Sequence, residues 1–135
     1  MKFYESSSQL YTAMEILFQR LSEQTPSPMD ALKTSRLVIR LRLREPEAVI
    51  TVNGRQNPVK IICGPCSLRP DLDVEMSADT LHQILVEQLS LKQSLADRQL
   101  KVLGPVWKTH HLAEILHEGR AIYPKILSDQ GLDNG

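Results

Sequence analysis

Between Arg36 and Arg44 apolar and basic residues take turns along the chain. Leu37, Ile39, Leu41 and Leu43 fall on one side, and Arg36, Arg40, Arg42 and Arg44 on the other, with Val38 among the arginines. A period of two marks a strand with one face buried, so residues 35–43 are expected as a first strand. Residues 47–53 follow as a second strand after the turn at Glu45-Pro46, and Asn53-Gly54 signals the next reversal. Residues 58–63 are expected as a third strand. Residues 71–76 make a fourth, with Leu72, Val74 and Met76 inward and Asp71, Asp73 and Glu75 outward.

Ahead of the strands, Leu10, Met14, Leu17, Phe18 and Leu21 recur at helical spacing, which predicts a helix over residues 8–23. Ser7 or Ser8 is expected to cap its start, and Pro26 and Pro28 to end it. After the fourth strand the period returns to helical. Ser77 is a natural cap for a helix carrying Leu81, Ile84, Leu85 and Leu89, with Asp79 at its positive end. A short helix over residues 91–98 and a fifth strand over residues 99–103 follow. Gly104-Pro105 opens a helix with Trp107, His111, Leu112, Ile115 and Leu116. A last short helix is expected over residues 121–127, and a frayed tail over residues 128–135.

This order places the elements in a one-sheet α+β layer fold. Strands in a run pair antiparallel, and the two-helix excursion before the fifth strand is long enough for a parallel crossover. With 135 residues the chain suits one domain spanning residues 1–135, with a core over about residues 8–127.

Composition then narrows the function. Formal net charge is zero and aromatic residues make up 4% of the chain, which argues against a nucleic-acid binder. No apolar run approaches a membrane span, and the polar stretch with Ser6, Ser7 and Ser8 is unlike a signal peptide. A cytoplasmic protein is the expectation.

The stretch Asp73-Val74-Glu75-Met76-Ser77-Ala78-Asp79-Thr80-Leu81, then a helical region, then Leu100-Lys101-Val102-Leu103-Gly104, resembles the sterol-carrier-protein (sterol-transfer) family. That family shows a strand ending in an apolar residue and Ser, a helix, and later a Gly-Lys-Leu-x-x-x-Gly strand followed by a helix. Here Arg98 and Gln99 stand where the family has that first glycine and the lysine, and Leu95 and Ala96 where it often places aromatics. The resemblance implies a five-stranded, mostly antiparallel sheet with helices over one face, around an apolar cavity. It implies a non-catalytic module that carries or presents a fatty acid, acyl thioester, phospholipid or sterol-like ligand, with no cofactor, no metal and no nucleic acid. Transient membrane contact goes with such a role. The cavity would be lined by Leu81, Ile84, Leu85, Leu100, Val102, Trp107, Leu112, Ile115, Leu116, Ile122 and Ile126, with residues 121–127 as a lid. On their periodicity alone, these residues equally fill an ordinary packed core.

Other strings compete. Cys63-Gly64-Pro65-Cys66 matches the tetrapeptide of thioredoxin-like oxidoreductases, whose chemistry needs the first thiolate at a helix N-terminus. Pro70 leaves no room for a long helix after it, so a tight turn between strands is the expectation and a thiol oxidoreductase the alternative. The same cysteines with His110, His111 and His117 would be a zinc set, but the histidines lie far off and irregularly spaced, and the adjacent His110 and His111 should point to different parts of a helix surface. The arginine stripe could meet phosphates, or it could face Asp71, Asp73 and Glu75 across a ladder between strands one and four. Trp107 and Tyr123 could pair at a membrane-facing or pocket-mouth position. The last alternative is an interaction subunit whose apolar groove holds a partner protein or a second copy.

Overall fold

A computed structural model describes residues 3–132. Helix α1, Ser7–Ser22, starts one residue earlier than the periodicity indicates, and Ser6 caps it by accepting a hydrogen bond from the Gln9 amide at 3.2 Å. Its buried stripe is Leu10, Ala13, Met14, Leu17, Phe18 and Leu21. Beyond it the chain turns through Ser27, whose hydroxyl donates to the Leu21 carbonyl at 2.7 Å.

A helix the sequence pattern did not announce follows: α2, Asp30–Ser35. It buries only Leu32, too little to give a readable period. Arg36 ends it in the left-handed region at φ 53°. Strand β1 therefore runs Val38–Arg44, and Arg36 is not part of the arginine stripe.

The other strands are β2 (Ala48–Asn53), β3 (Lys60–Cys63), β4 (Leu72–Ser77) and β5 (Leu100–Leu103), in the order β3-β2-β1-β4-β5. The pair β1–β4 is parallel and every other neighbouring pair is antiparallel. The sheet is thus mostly antiparallel, but the parallel ladder is not where a crossover after β4 would put it. Met76 pairs with Leu100, so the helical excursion leaves and re-enters the sheet at the same end, and β5 returns antiparallel.

That excursion holds α3 (Ala78–Leu85) and α4 (Leu91–Ala96). Ser77 caps α3 by accepting from the Thr80 amide at 3.0 Å, as its sequence indicates. A 3-10 turn, Val106–Lys108, leads into α5 (Thr109–Gly119), and α6 covers Tyr123–Asp129. Ser128 and Asp129 are therefore helical rather than frayed, and the Leu132 amide still donates to the Leu127 carbonyl at 2.8 Å. Residues 133–135 of the expected tail lie outside the described residues.

The helices cover one face of the sheet. Ile39, Leu41, Leu43, Ile50, Val52, Leu72, Val74, Met76 and Leu100 form that buried face, in one cluster with the helical stripes. On the opposite face Arg40 lies opposite Asp73 and Arg42 opposite Glu75.

Two backbone positions explain the glycines of the motif. Gly104 sits at φ +116°, and a Cβ there would lie 2.5 Å from the Asp71 carbonyl oxygen, so β5 ends in close contact with the start of β4. Arg98 occupies the position that ends α4, at φ 61°. Its amide donates to the Leu95 carbonyl at 3.2 Å and the Gln99 amide to Ser94 at 2.9 Å, the paired bonds of a helix end that favours glycine. The chain keeps the turn and forgoes the residue best suited to it.

Candidate functional site

A cleft of about 520 Å³ opens between the segment Pro26–Pro28, the α3–α4 connection and α5. Ile84, Leu91, Ala113 and Leu116 give it an apolar floor, and Pro26 and Pro28 an apolar side wall. Lys92, His117 and Arg120 put nitrogen at its edge, beside Glu114 and Glu118. Arg120 is already committed. Its Nε donates to the Ile84 carbonyl at 3.0 Å, its second nitrogen reaches Leu89 at 3.5 Å, and its third pairs with Glu87 at 3.8 Å. Arg120 thus fixes the wall of the cleft, while Lys92, His117, Glu114 and Glu118 remain as polar groups at the rim.

Of the residues expected to line a cavity, Ile84 and Leu116 face this cleft. Leu81, Leu85, Leu100, Leu112, Ile115 and Ile126 are buried in the common core, and Val102 and Ile122 pack partly buried against it. Trp107 stands apart, 70% exposed. Ile122 and Ile126, the expected lid residues, do not border the cleft. Pro26 and Pro28 read from the sequence only as a helix stop and His117 only as a member of a zinc set, while Leu91, Lys92 and Ala113 carry no such signal. Nothing local in the sequence sets these positions side by side.

The segment expected as a lid is held inside the molecule by a buried polar chain. The Tyr4 and Tyr123 hydroxyls lie 2.6 Å apart, and Tyr123 is 2.7 Å from His82 Nδ1. Phe3 stacks on the His82 ring at 3.6 Å, and its amide donates to Asp79 at 2.9 Å. Burial pushes the Tyr4 phenol up to about 12, against the opposing effect of its hydrogen bond to Tyr123. Burial raises Tyr123 as well, and burial lowers His82, partly offset by the charge of Asp79. With Tyr123 fully buried and Trp107 in solvent, the pair expected from the sequence does not form.

The competing strings resolve on geometry. Cys63 ends β3 and Cys66 lies in the following loop, both as free thiols, so the motif heads no helix. Burial pushes the Cys63 thiol up to about 11, helped by the Glu15 carboxylate beside it, the reverse of what an attacking thiolate needs. Among the described residues no group of three or more His, Cys, Asp and Glu side chains is placed to hold a metal ion. The His110 and His111 rings lie 4.0 Å apart, close together rather than diverging. The arginine stripe is matched by carboxylates: Arg42 meets Asp73 at 2.9 Å and Glu75 at 3.7 Å, Arg40 meets Asp73 at 3.9 Å, and Arg44 meets Glu75 at 3.8 Å. No helix of the described residues is long and apolar enough to cross a membrane.

A five-stranded α+β sheet with helices over one face is the fold this chain shares with sterol carrier proteins. The sequence profile of the SCP-2 sterol transfer family matches residues 18–117, and the chain belongs to that family. Membership supports a lipid-binding or lipid-carrying module. Among solved structures, the chain is similar to sterol carrier protein domain 2 of Helicoverpa armigera, with a TM-score of 0.67 at 15% identity over 83% of this chain and 88% of that one. It is similar to sterol carrier protein 2 from Yarrowia lipolytica in its apo form, at TM-score 0.62 and 16% identity over 78% and 88%. It is also similar to palmitated sterol carrier protein 2-like 2 from Aedes aegypti, at TM-score 0.56 and 18% identity over 76% and 93%. No curated protein sequence matches the chain.

Proposed function

We propose that this protein is a non-catalytic carrier that holds the alkyl chain of a fatty acid, acyl thioester or related lipid in the cleft between α5 and the α3–α4 connection. The observation that carries the reading is the apolar floor of Ile84, Leu91, Ala113 and Leu116 with Lys92 and His117 at the rim. An aliphatic floor suits a flexible chain, since each methylene taken out of water gains about 0.8 kcal/mol without directional contacts. The volume of about 520 Å³ falls within the usual range of small-molecule sites. Lys92 and His117 offer donors to a carboxylate or phosphate head group. The palmitated relative supports an acyl ligand. No residue of the site is assigned a chemical step.

The test is native mass spectrometry of the purified protein, with solvent extraction of what leaves on denaturation, followed by titration with a fluorescent fatty acid. Extra mass matching a fatty acid, acyl thioester or phospholipid is expected, with uptake reduced in Ala113→Trp, which fills the floor, and in Lys92→Glu. A bare mass with no uptake would sink the reading, as would unchanged uptake in Ala113→Trp.

A further inference from the structure

We propose that the turn after β5, carrying Leu103, Val106 and Trp107 and flanked by Lys101 and Lys108, is a docking tip for the surface of an anionic lipid bilayer. Among the described residues these three are the exposed large hydrophobic side chains, at 50%, 51% and 70%. They fall within one short stretch of chain, whereas single exposed apolar residues are ordinarily scattered.

The tip is held firmly from behind. Gly104 seats the turn against the Asp71 carbonyl. The Thr109 hydroxyl donates to the Val106 carbonyl at 2.7 Å, and His110 Nδ1 donates to the Trp107 carbonyl at 2.7 Å. The backbone is therefore tied down while the side chains are turned out to solvent.

Charge selects the occupant. The carboxylates nearest the tip are already matched, Asp71 by Arg55 at 3.2 Å and Asp73 and Glu75 by the arginines of β1. Lys101 faces the same side of β5 as Leu103, and Lys108 lies 5.4 Å from the indole centroid. Neither lysine forms an ion pair among the described residues. An indole and two aliphatic side chains beside unpaired lysines complement a surface with an apolar interior and negative head groups. With overall net charge zero, this attraction is local to the tip. The cleft residue His117 lies on α5, the helix that follows the tip directly, about 12 Å along it from Thr109, so a docked tip brings the helix that carries the cleft to the head groups.

Trp107 is the one tryptophan of the chain, so its fluorescence reports on the tip directly. The full-length protein is mixed with phosphatidylcholine vesicles, or with vesicles of phosphatidylcholine and phosphatidylglycerol. The anionic vesicles should shift the emission to the blue, make it quenchable by brominated lipids and sediment the protein. The zwitterionic vesicles should do none of these. Trp107→Ala, and Lys101→Glu with Lys108→Glu, should each lose roughly tenfold in vesicle partitioning. Trp107 and Lys101 are exposed and Lys108 is half-buried, and circular dichroism checks that the variants keep their fold. Unshifted emission, equal binding to both vesicle types, or undiminished sedimentation of Trp107→Ala overturns the proposal. So does a blue shift that rises with protein concentration without vesicles, which would assign the tip to a second copy of the chain. A protein that docks but takes up no fatty acid would retain this tip and fail only the carrier reading.

Discussion

The phenol oxygens of Tyr4 and Tyr123, 119 positions apart in the chain, lie 2.6 Å from each other in the protein interior, and Tyr123 passes the chain on to His82 at 2.7 Å. One proton order satisfies all three groups: Tyr4 donates to Tyr123, and Tyr123 donates to a neutral His82. Tyr123→Phe leaves both neighbours without that partner and should cost about 2–3 kcal/mol, whereas Tyr4→Phe removes only the first donor and should cost about 1 kcal/mol. Urea unfolding of the two variants and the double variant checks this. Equal costs for the two single changes would refute the proton order.

The same chain predicts the limits of pH stability. His82 titrates lower in the folded protein than its ordinary 6.5, so below that pH the unfolded chain binds a proton that the native state resists. Stability should be full above 6.5, fall as pH drops through the folded value, and level off beyond it. Tyr4 behaves in the opposite sense. Its phenol stays protonated to about 12 in the folded state against 10.0 when unfolded, so stability should fall as pH climbs between those values. Thermal unfolding across pH measures both limbs, and His82→Gln should flatten the acid one.

At the turn before β5, Arg98→Gly should stabilise the protein by about 1 kcal/mol, because glycine enters the left-handed region without the steric cost an L side chain bears. Gly104→Ala should destabilise by about 3 kcal/mol, since it adds a strained φ to a clash with the Asp71 carbonyl. Denaturant midpoints of the two variants should move in opposite directions.

Cys63 should react slowly. With its thiol pushed up to about 11, alkylation by iodoacetamide at neutral pH is expected to run roughly tenfold or more below a free cysteine peptide. Glu15→Gln should speed it. A Cys63 that reacts faster than the peptide would return the thiol oxidoreductase to consideration.

Periodicity made most of the framework legible. The alternation in β1 and β4 gave the faces of the sheet, and the register Arg40–Asp73 and Arg42–Glu75 matches what alternating charges imply. The motif around Ser77 and Gly104 reflects physical requirements of a cap and a crowded turn. What the sequence hid depends on distance along the chain. Helix α2 buries one leucine, too few for a period. The cleft joins Pro26, Leu91 and Ala113, which no local pattern connects. His82 carries no local signal, because its partners, Phe3 and Tyr123, lie at opposite ends of the chain. The spacing groups Trp107 with the apolar stripe of α5, but it precedes that helix in a 3-10 turn, where the angular spacing differs and the indole turns outward.

The parallel ladder between β1 and β4 has a consequence for synthesis. The β1–β2–β3 meander is local and can pair as soon as it leaves the ribosome, but the other edge of β1 waits for residues near position 73. During that interval a strand with Ile39, Leu41 and Leu43 on one face lies open at its edge, the kind of edge on which nascent chains stick to one another. Arg40, Arg42 and Arg44 line that strand, so two such edges meeting would bring like charges together. The carboxylates of Asp73 and Glu75, arriving on β4 of the same chain, convert this repulsion into pairing. The arginines thus guard the open edge against another β1, and the ion pairs replace that repulsion once β4 arrives.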